Sequence, residues 1–234
     1  MNFRLSLLLF MVLLPMGIAL GWLSGIQRWP PSDQLIAWVR QRPTRPQQRE
    51  MILLDVRPSQ VTFVGDSITA EGLWSEYFDP ALTVANRGFP GATSAALLDQ
   101  LPAITATRAQ LYLLMAGAND VLYAPWGPEN TVSNLLRLRQ RLLDSAPGTR
   151  VVVQSTLECL PPLCPPQALQ RIRAINRSLS QKLPGPAYLD INTVLSTASG
   201  LNPAFTHDGV HLNAKGYAAW RSLLQPQLQR WLQR

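Results

Sequence analysis

The sequence predicts an α/β fold built as a three-layer α/β/α sandwich, and three observations predict it. Short β-branched or apolar runs alternate along the chain with longer helical patterns. Several of those runs lack polar alternation, as strands buried on both faces of a parallel sheet do. Residues suited to turns and to chemistry follow the first three runs, where the carboxyl ends of parallel strands place ligands.

The strand candidates, in order, are Gln60–Gly65, Thr83–Asn86, Leu111–Ala116, Arg150–Ser155 and Ala187–Ile191. Between them the helical patterns cover Thr93–Ala106, Thr131–Asp144 and Pro166–Lys182, with a last one over Asn213–Gln233. In the third, Leu169, Ile172, Ile175 and Leu179 recur at three- and four-residue spacing, which marks one buried stripe. No internal repeat is present. The expected organisation is an N-terminal segment over 1–25, an amphipathic and linker segment over 26–58, and one domain over 59–234.

From Leu5 to Leu23 the chain is almost wholly apolar and follows Arg4. About nineteen residues at roughly 1.5 Å each approach the thickness of a bilayer's hydrocarbon core. This stretch reads as a transmembrane anchor or, if cleaved near Ala19 and Gly21, a signal peptide; a buried core helix is the third reading. Leu35, Ile36, Trp38 and Val39 fall on one side of a short helical stretch that suits either a membrane interface or the main domain. Residues 41–50, with Pro43 and Pro46, read as a linker.

Charges flanking the apolar run nearly balance, leaning toward a cytoplasmic domain. The cysteines lean the other way. Cys159 and Cys164 bracket a proline-rich loop, and a bridge there would add roughly 2 kcal/mol and require an oxidising compartment. Two free thiols are the alternative. The expectation is a membrane-anchored, extracytoplasmic domain, periplasmic or secreted if the segment is cleaved.

The net charge of +7 does not indicate nucleic acid, because the arginines are scattered and no nucleic-acid-binding motif is present. With His207 and His211 the only histidines, a histidine-rich metal site is excluded. No metal and no cofactor are expected.

Four places carry chemistry. Gly65-Asp66-Ser67-Ile68-Thr69 follows the first strand, so Ser67 stands at its carboxyl end near a helix start. Asn86-Arg87-Gly88-Phe89-Pro90-Gly91 follows the second, where Gly88 could aim a backbone N–H into the crevice. Gly117-Ala118-Asn119-Asp120 follows the third and offers a side-chain amide. Asp208-Gly209-Val210-His211 lies near the C-terminus, with the carboxylate spaced to hold the imidazole Nδ1–H and leave Nε2 for a serine proton. Each block alone has an ordinary structural reading as a turn, a helix cap or a structural hydrogen bond. Together, in this order, they supply a nucleophile, a base, an orienter and oxyanion donors.

These blocks resemble the SGNH hydrolases, the GDSL-type esterases and lipases, and the resemblance spans Val61 to Tyr217. It implies a flavodoxin-like sheet of five parallel strands and a serine ester hydrolase. It implies Ser67 as nucleophile, His211 as base and Asp208 as the residue that orients the histidine. The implied oxyanion hole is the N–H groups of Ser67 and Gly88 with the amide of Asn119. The glycine block is closer to the acetylesterase and platelet-activating-factor acetylhydrolase-like branch, from which Pro90 departs. A small-molecule, glycan or lipid ester is the implied partner, cleaved through an acyl-enzyme; the oligomeric state is not readable. A non-catalytic carbohydrate- or lipid-binding module, or a membrane scaffold, is the rival reading. Trp74, Tyr77, Phe89, Tyr123 and Trp126 follow strand ends and either line an apolar pocket or belong to the core.

Overall fold

A computed structural model describes residues 50–232 apart from 51, 55, 125 and 184. The expected membrane or signal segment, the Leu35–Val39 stretch and residues 41–49 of the linker lie outside the described residues. No helix among the described residues is long and apolar enough to cross a membrane. Of the linker's end, residues 50 and 52–54 are helical, and Ile52 packs against the core.

The sheet has five strands: β1 (Val61–Gly65), β2 (Val84–Gly88), β3 (Leu111–Met115), β4 (Arg150–Gln154) and β5 (Tyr188–Leu189). They pair in parallel in the order β2-β1-β3-β4-β5. That is the flavodoxin-like order, with its switch point between β1 and β3. Gly65 pairs with Gly88 on one side and Met115 on the other, so three strand ends lie level in one row.

Side-chain alternation divides the core in two. Val64, Tyr112, Leu114, Val151 and Val153 face one layer, formed by α3 (Ser94–Asp99), α4 (Leu101–Thr105), α6 (Pro128–Leu143) and α7 (Pro166–Lys182). Phe63, Leu111, Leu113, Met115 and Val152 face the other, formed by α1 (Ser67–Ala70), α2 (Trp74–Tyr77), α8 (Asn192–Leu195) and α9 (Ala214–Leu232). In α7, Ile172, Ile175 and Leu179 are fully buried as the stripe predicts, while Leu169 is partly covered. Full burial of each such side chain stabilises the fold by roughly 1.5–3 kcal/mol. A short helix, α5 (Ala118–Tyr123), follows β3, and a two-stranded antiparallel ribbon, β6 (Ser196–Thr197) with β7 (Gly200–Leu201), precedes the last loop.

Several boundaries differ from expectation: β5 is confined to Tyr188–Leu189 and does not span Ala187–Ile191, and α6 begins at Pro128 and not at Thr131. The predicted helix over Thr93–Ala106 is two helices meeting at Gln100, with Pro102 in the first turn of the second. The second strand runs to Gly88 and not to Asn86. Two aromatic residues also prove to be core: Trp74 and Phe89 are fully buried, and Trp74 stacks on Phe63 at 4.0 Å between centroids. Of the two readings left open for Cys159 and Cys164, the bridge is the one present, with Cα atoms 5.5 Å apart.

Candidate active site

Ser67 opens α1 directly after β1. Asp66 caps the helix, its Oδ1 accepting the N–H of Ile68 at 3.0 Å. The first N–H groups of a helix have no acceptor within it, and Asp66 takes only that of Ile68, so the N–H of Ser67 is left for a ligand. The far end of α1 is fastened too. Asn86 on β2 donates its amide to the carbonyls of Thr69, Ala70 and Gly72 at 3.2, 3.0 and 3.2 Å. From the opposite side the Tyr217 hydroxyl on α9 donates to the Ile68 carbonyl at 2.6 Å. Burial raises the pKa of that phenol, so it stays a donor.

His211 arrives from 144 residues away, and its Nε2 lies 3.0 Å from Ser67 Oγ. Its Nδ1 lies 2.7 Å from Asp208 Oδ2. Asp208 Oδ1 accepts the N–H groups of Val210 and His211, both at 2.8 Å. Partial burial raises the Asp208 pKa, but the hydrogen bonds from His211 and Val210 outweigh that and bring it down to about 2. The group beside the imidazole is therefore a carboxylate. Ser67, His211 and Asp208 are brought together as the sequence predicts.

Asp66, only 1% exposed, is the opposite case. Burial drives its carboxyl up to about 7, and the Ile68 N–H and the nearby His211 counter that only in part. Its Oδ2 has no hydrogen-bond partner among the described residues.

Asn119 sits in the first turn of α5, half-exposed, and one N–H of its amide goes to the Ala92 carbonyl at 3.0 Å. The second N–H is free to serve a ligand. The buried Asp120 next to it accepts the Ser94 N–H at 2.8 Å and the Ser94 hydroxyl, and Thr131 and Trp126 approach the same carboxylate at 3.4 Å. The loop after β2 and the start of α5 are thereby locked together.

Gly88 is where the structure departs from the expected site. It is buried, and its N–H donates to Asn86 Oδ1 at 2.9 Å, so it offers nothing to the crevice. It is glycine for a packing reason, because a Cβ there would meet the backbone N and Cα of Ala70 at 2.2 and 2.4 Å. The turn beyond it runs Phe89-Pro90-Gly91-Ala92, closed by Ala92 N–H to Phe89 O at 2.9 Å. Proline at the second position and glycine with φ +79° at the third are the pattern of a type II turn. Pro90, which departs from the resemblance, thus has a local cause. In such a turn the central peptide is turned over relative to a type I turn, and here it carries the Gly91 N–H, one residue before the Ala92 carbonyl that holds Asn119. The sequence signal for this was present: two glycines stand in one block, and the one after a proline is the turn glycine.

Comparison with known proteins follows the same lines. The GDSL-like lipase/acylhydrolase family matches residues 63–219, more than half of the chain. A platelet-activating-factor-like protein of Streptococcus pneumonia superimposes with a TM-score of 0.73 at 23% identity, over 86% of this chain and 100% of that one. A GDSL-like lipase of Bacteroides thetaiotaomicron gives 0.62 at 21% identity, over 80% and 91%. A carbohydrate esterase family 3 protein of Talaromyces cellulolyticus gives 0.58 at 19%, over 76% and 99%. At these identities the structures establish the fold. No curated protein sequence matches the chain.

Proposed function

Because the chain belongs to the GDSL-like lipase/acylhydrolase family and is a serine ester hydrolase, we propose that it cleaves a carboxylic ester, an acetyl or short acyl group on a glycan or lipid, through an acyl-enzyme on Ser67. The observation that carries this reading is the Ser67–His211–Asp208 relay, at 3.0 and 2.7 Å. His211 Nε2 accepts the hydroxyl proton as Ser67 Oγ attacks the ester carbonyl, while Asp208 accepts Nδ1–H and steadies the imidazolium that forms. The proton then passes to the leaving alcohol. Water, deprotonated by the same nitrogen, releases the acid.

The oxyanion that develops needs donors set in place beforehand. The N–H of Ser67, the free N–H of Asn119 and the N–H of Gly91 fill that role; Gly91 replaces Gly88 because the latter's N–H is engaged. Similarity to a carbohydrate esterase and to a lipase supports both glycan and lipid esters. The Cys159–Cys164 bridge and the apolar run Leu5–Leu23 support an extracytoplasmic domain held at a membrane or exported. Hydrolysis of p-nitrophenyl esters from acetate to decanoate tests the substrate class. A maximum of kcat/KM at two to four carbons supports it, and a maximum at ten carbons contradicts it.

A further inference from the structure

We infer that the disulfide-closed loop Cys159–Cys164 is a positioning element for His211, so that removing the bridge lowers turnover in a domain that remains folded. The inference rests on the serine-hydrolase reading above.

The base of the loop is fixed to the sheet side of the domain. Thr156 Oγ1, just beyond β4, donates to the Ala116 carbonyl at 2.7 Å. The Glu158 N–H donates to Asn192 Oδ1 at 3.0 Å, and its carboxylate takes two bonds from Arg173 at 2.8 and 3.1 Å. The next residue is Cys159. Its bridge to Cys164, both residues 2% exposed, folds the chain back on that anchored base, and Cys164 N–H closes onto Leu160 O at 3.1 Å.

What this loop meets is the His211 loop. The Leu160 N–H donates to the Gly209 carbonyl at 2.8 Å. Gly209 stands between Asp208 and Val210 at φ +86°, and a Cβ on it would meet the Leu160 carbonyl oxygen at 2.6 Å. The contact is backbone on backbone, so no side-chain rotation can relieve a shift on either side.

Residues 206–211 hold their own shape, with Thr206 Oγ1 donating to the His211 carbonyl at 2.7 Å and accepting the Gly209 N–H at 2.9 Å. Those bonds set how Asp208 faces His211. They do not set where the pair stands relative to the strand end that carries Ser67. On the C-terminal side Asn213, the residue before α9, does so, its N–H donating to the Phe205 carbonyl at 2.8 Å. On the other side the bridged loop does so, through Gly209.

A misplacement of about 1 Å at a reacting group can cost about 100-fold in rate. The Cys159→Ala/Cys164→Ala variant is therefore expected to keep its circular dichroism at 25 °C and its KM, while kcat and the rate of Ser67 phosphonylation fall about 10-fold. Gly209→Ala completes a double-mutant cycle. In the bridged protein the new methyl presses on a loop that cannot yield; in the unbridged protein the loop gives way, so the second substitution costs less. Loss of thermal stability with wild-type kcat, or strictly additive effects in the cycle, would overturn the inference. Should the unbridged chain not fold, Leu160→Pro, which removes the N–H given to Gly209 together with the leucine side chain, replaces it, and an unchanged kcat overturns the inference. A wild type that cleaves no ester overturns the serine-hydrolase reading itself, and this inference with it.

Discussion

Ser67 and His211 are 144 residues apart in sequence, and their Oγ and Nε2 atoms are 3.0 Å apart. The distance results from opposed fastenings of two short elements. Asn86 and Tyr217 hold α1 from the β2 and α9 sides, and Asp208 and Thr206 hold the histidine. Neither element is long enough to be stable alone, so the geometry belongs to the fold as a whole.

Asp208→Ala removes the acceptor of Nδ1–H, together with that of the Val210 and His211 N–H groups, from an exposed loop position. A fall in kcat of about 10³- to 10⁴-fold is expected, as for loss of the orienting carboxylate in other serine hydrolases. Steady-state kinetics with p-nitrophenyl acetate measures it, and a loss below 10-fold would contradict the orienting role.

Asn119→Ala and Gly88→Ala should separate chemistry from packing. The first removes one oxyanion donor and should lower kcat by about 10²- to 10³-fold with KM little changed. The second places a methyl against the backbone of Ala70. It should reduce stability to urea by about 1–3 kcal/mol. If Asn119→Ala instead raised KM alone, the amide would be binding substrate rather than the transition state.

Asp66 makes stability fall as pH rises. Its folded-state pKa, about 7, lies above the ordinary 3.8, so between these values the folded state holds a proton that the unfolded chain has released. Asp208 works in the opposite direction and lower down, because its depressed pKa stabilises the fold above about 4 and that contribution is lost toward pH 2. Asp66→Asn keeps an oxygen for the Ile68 N–H and cannot ionise. Its midpoint temperature should gain on the wild type steadily from pH 4 to pH 7; parallel curves would rule out the buried carboxyl as the source.

An imidazole acts as a base only while unprotonated, so kcat/KM should fall on acidification as His211 takes up a proton. A profile that stays flat at every acidic pH at which the protein remains folded would remove His211 from the mechanism.

Much of this was legible in the sequence because the inner strands are uninterrupted apolar runs, and because Asp208 and His211 meet within one turn, so that spacing alone announces the pair. The edge strand was harder. Asn86 and Arg87 end the apolar pattern, yet they are strand residues whose polar groups are consumed locally: Asn86 by the carbonyls behind α1, Arg87 by the Ala103 carbonyl at 3.1 Å and that of Asn86 at 2.9 Å. Ending β2 early placed Gly88 in the turn and made it the donor, when the turn lies around Gly91. The break at Gln100 was hidden because both halves of that helix bury the same face.

Reaction with a fluorophosphonate probe, followed by peptide mass spectrometry, tests the catalytic assignment most directly. A single adduct on Ser67, formed rapidly in the wild type and slowed at least 100-fold in His211→Ala, is the predicted result. Labelling of another serine, or equal rates in the two proteins, would contradict it.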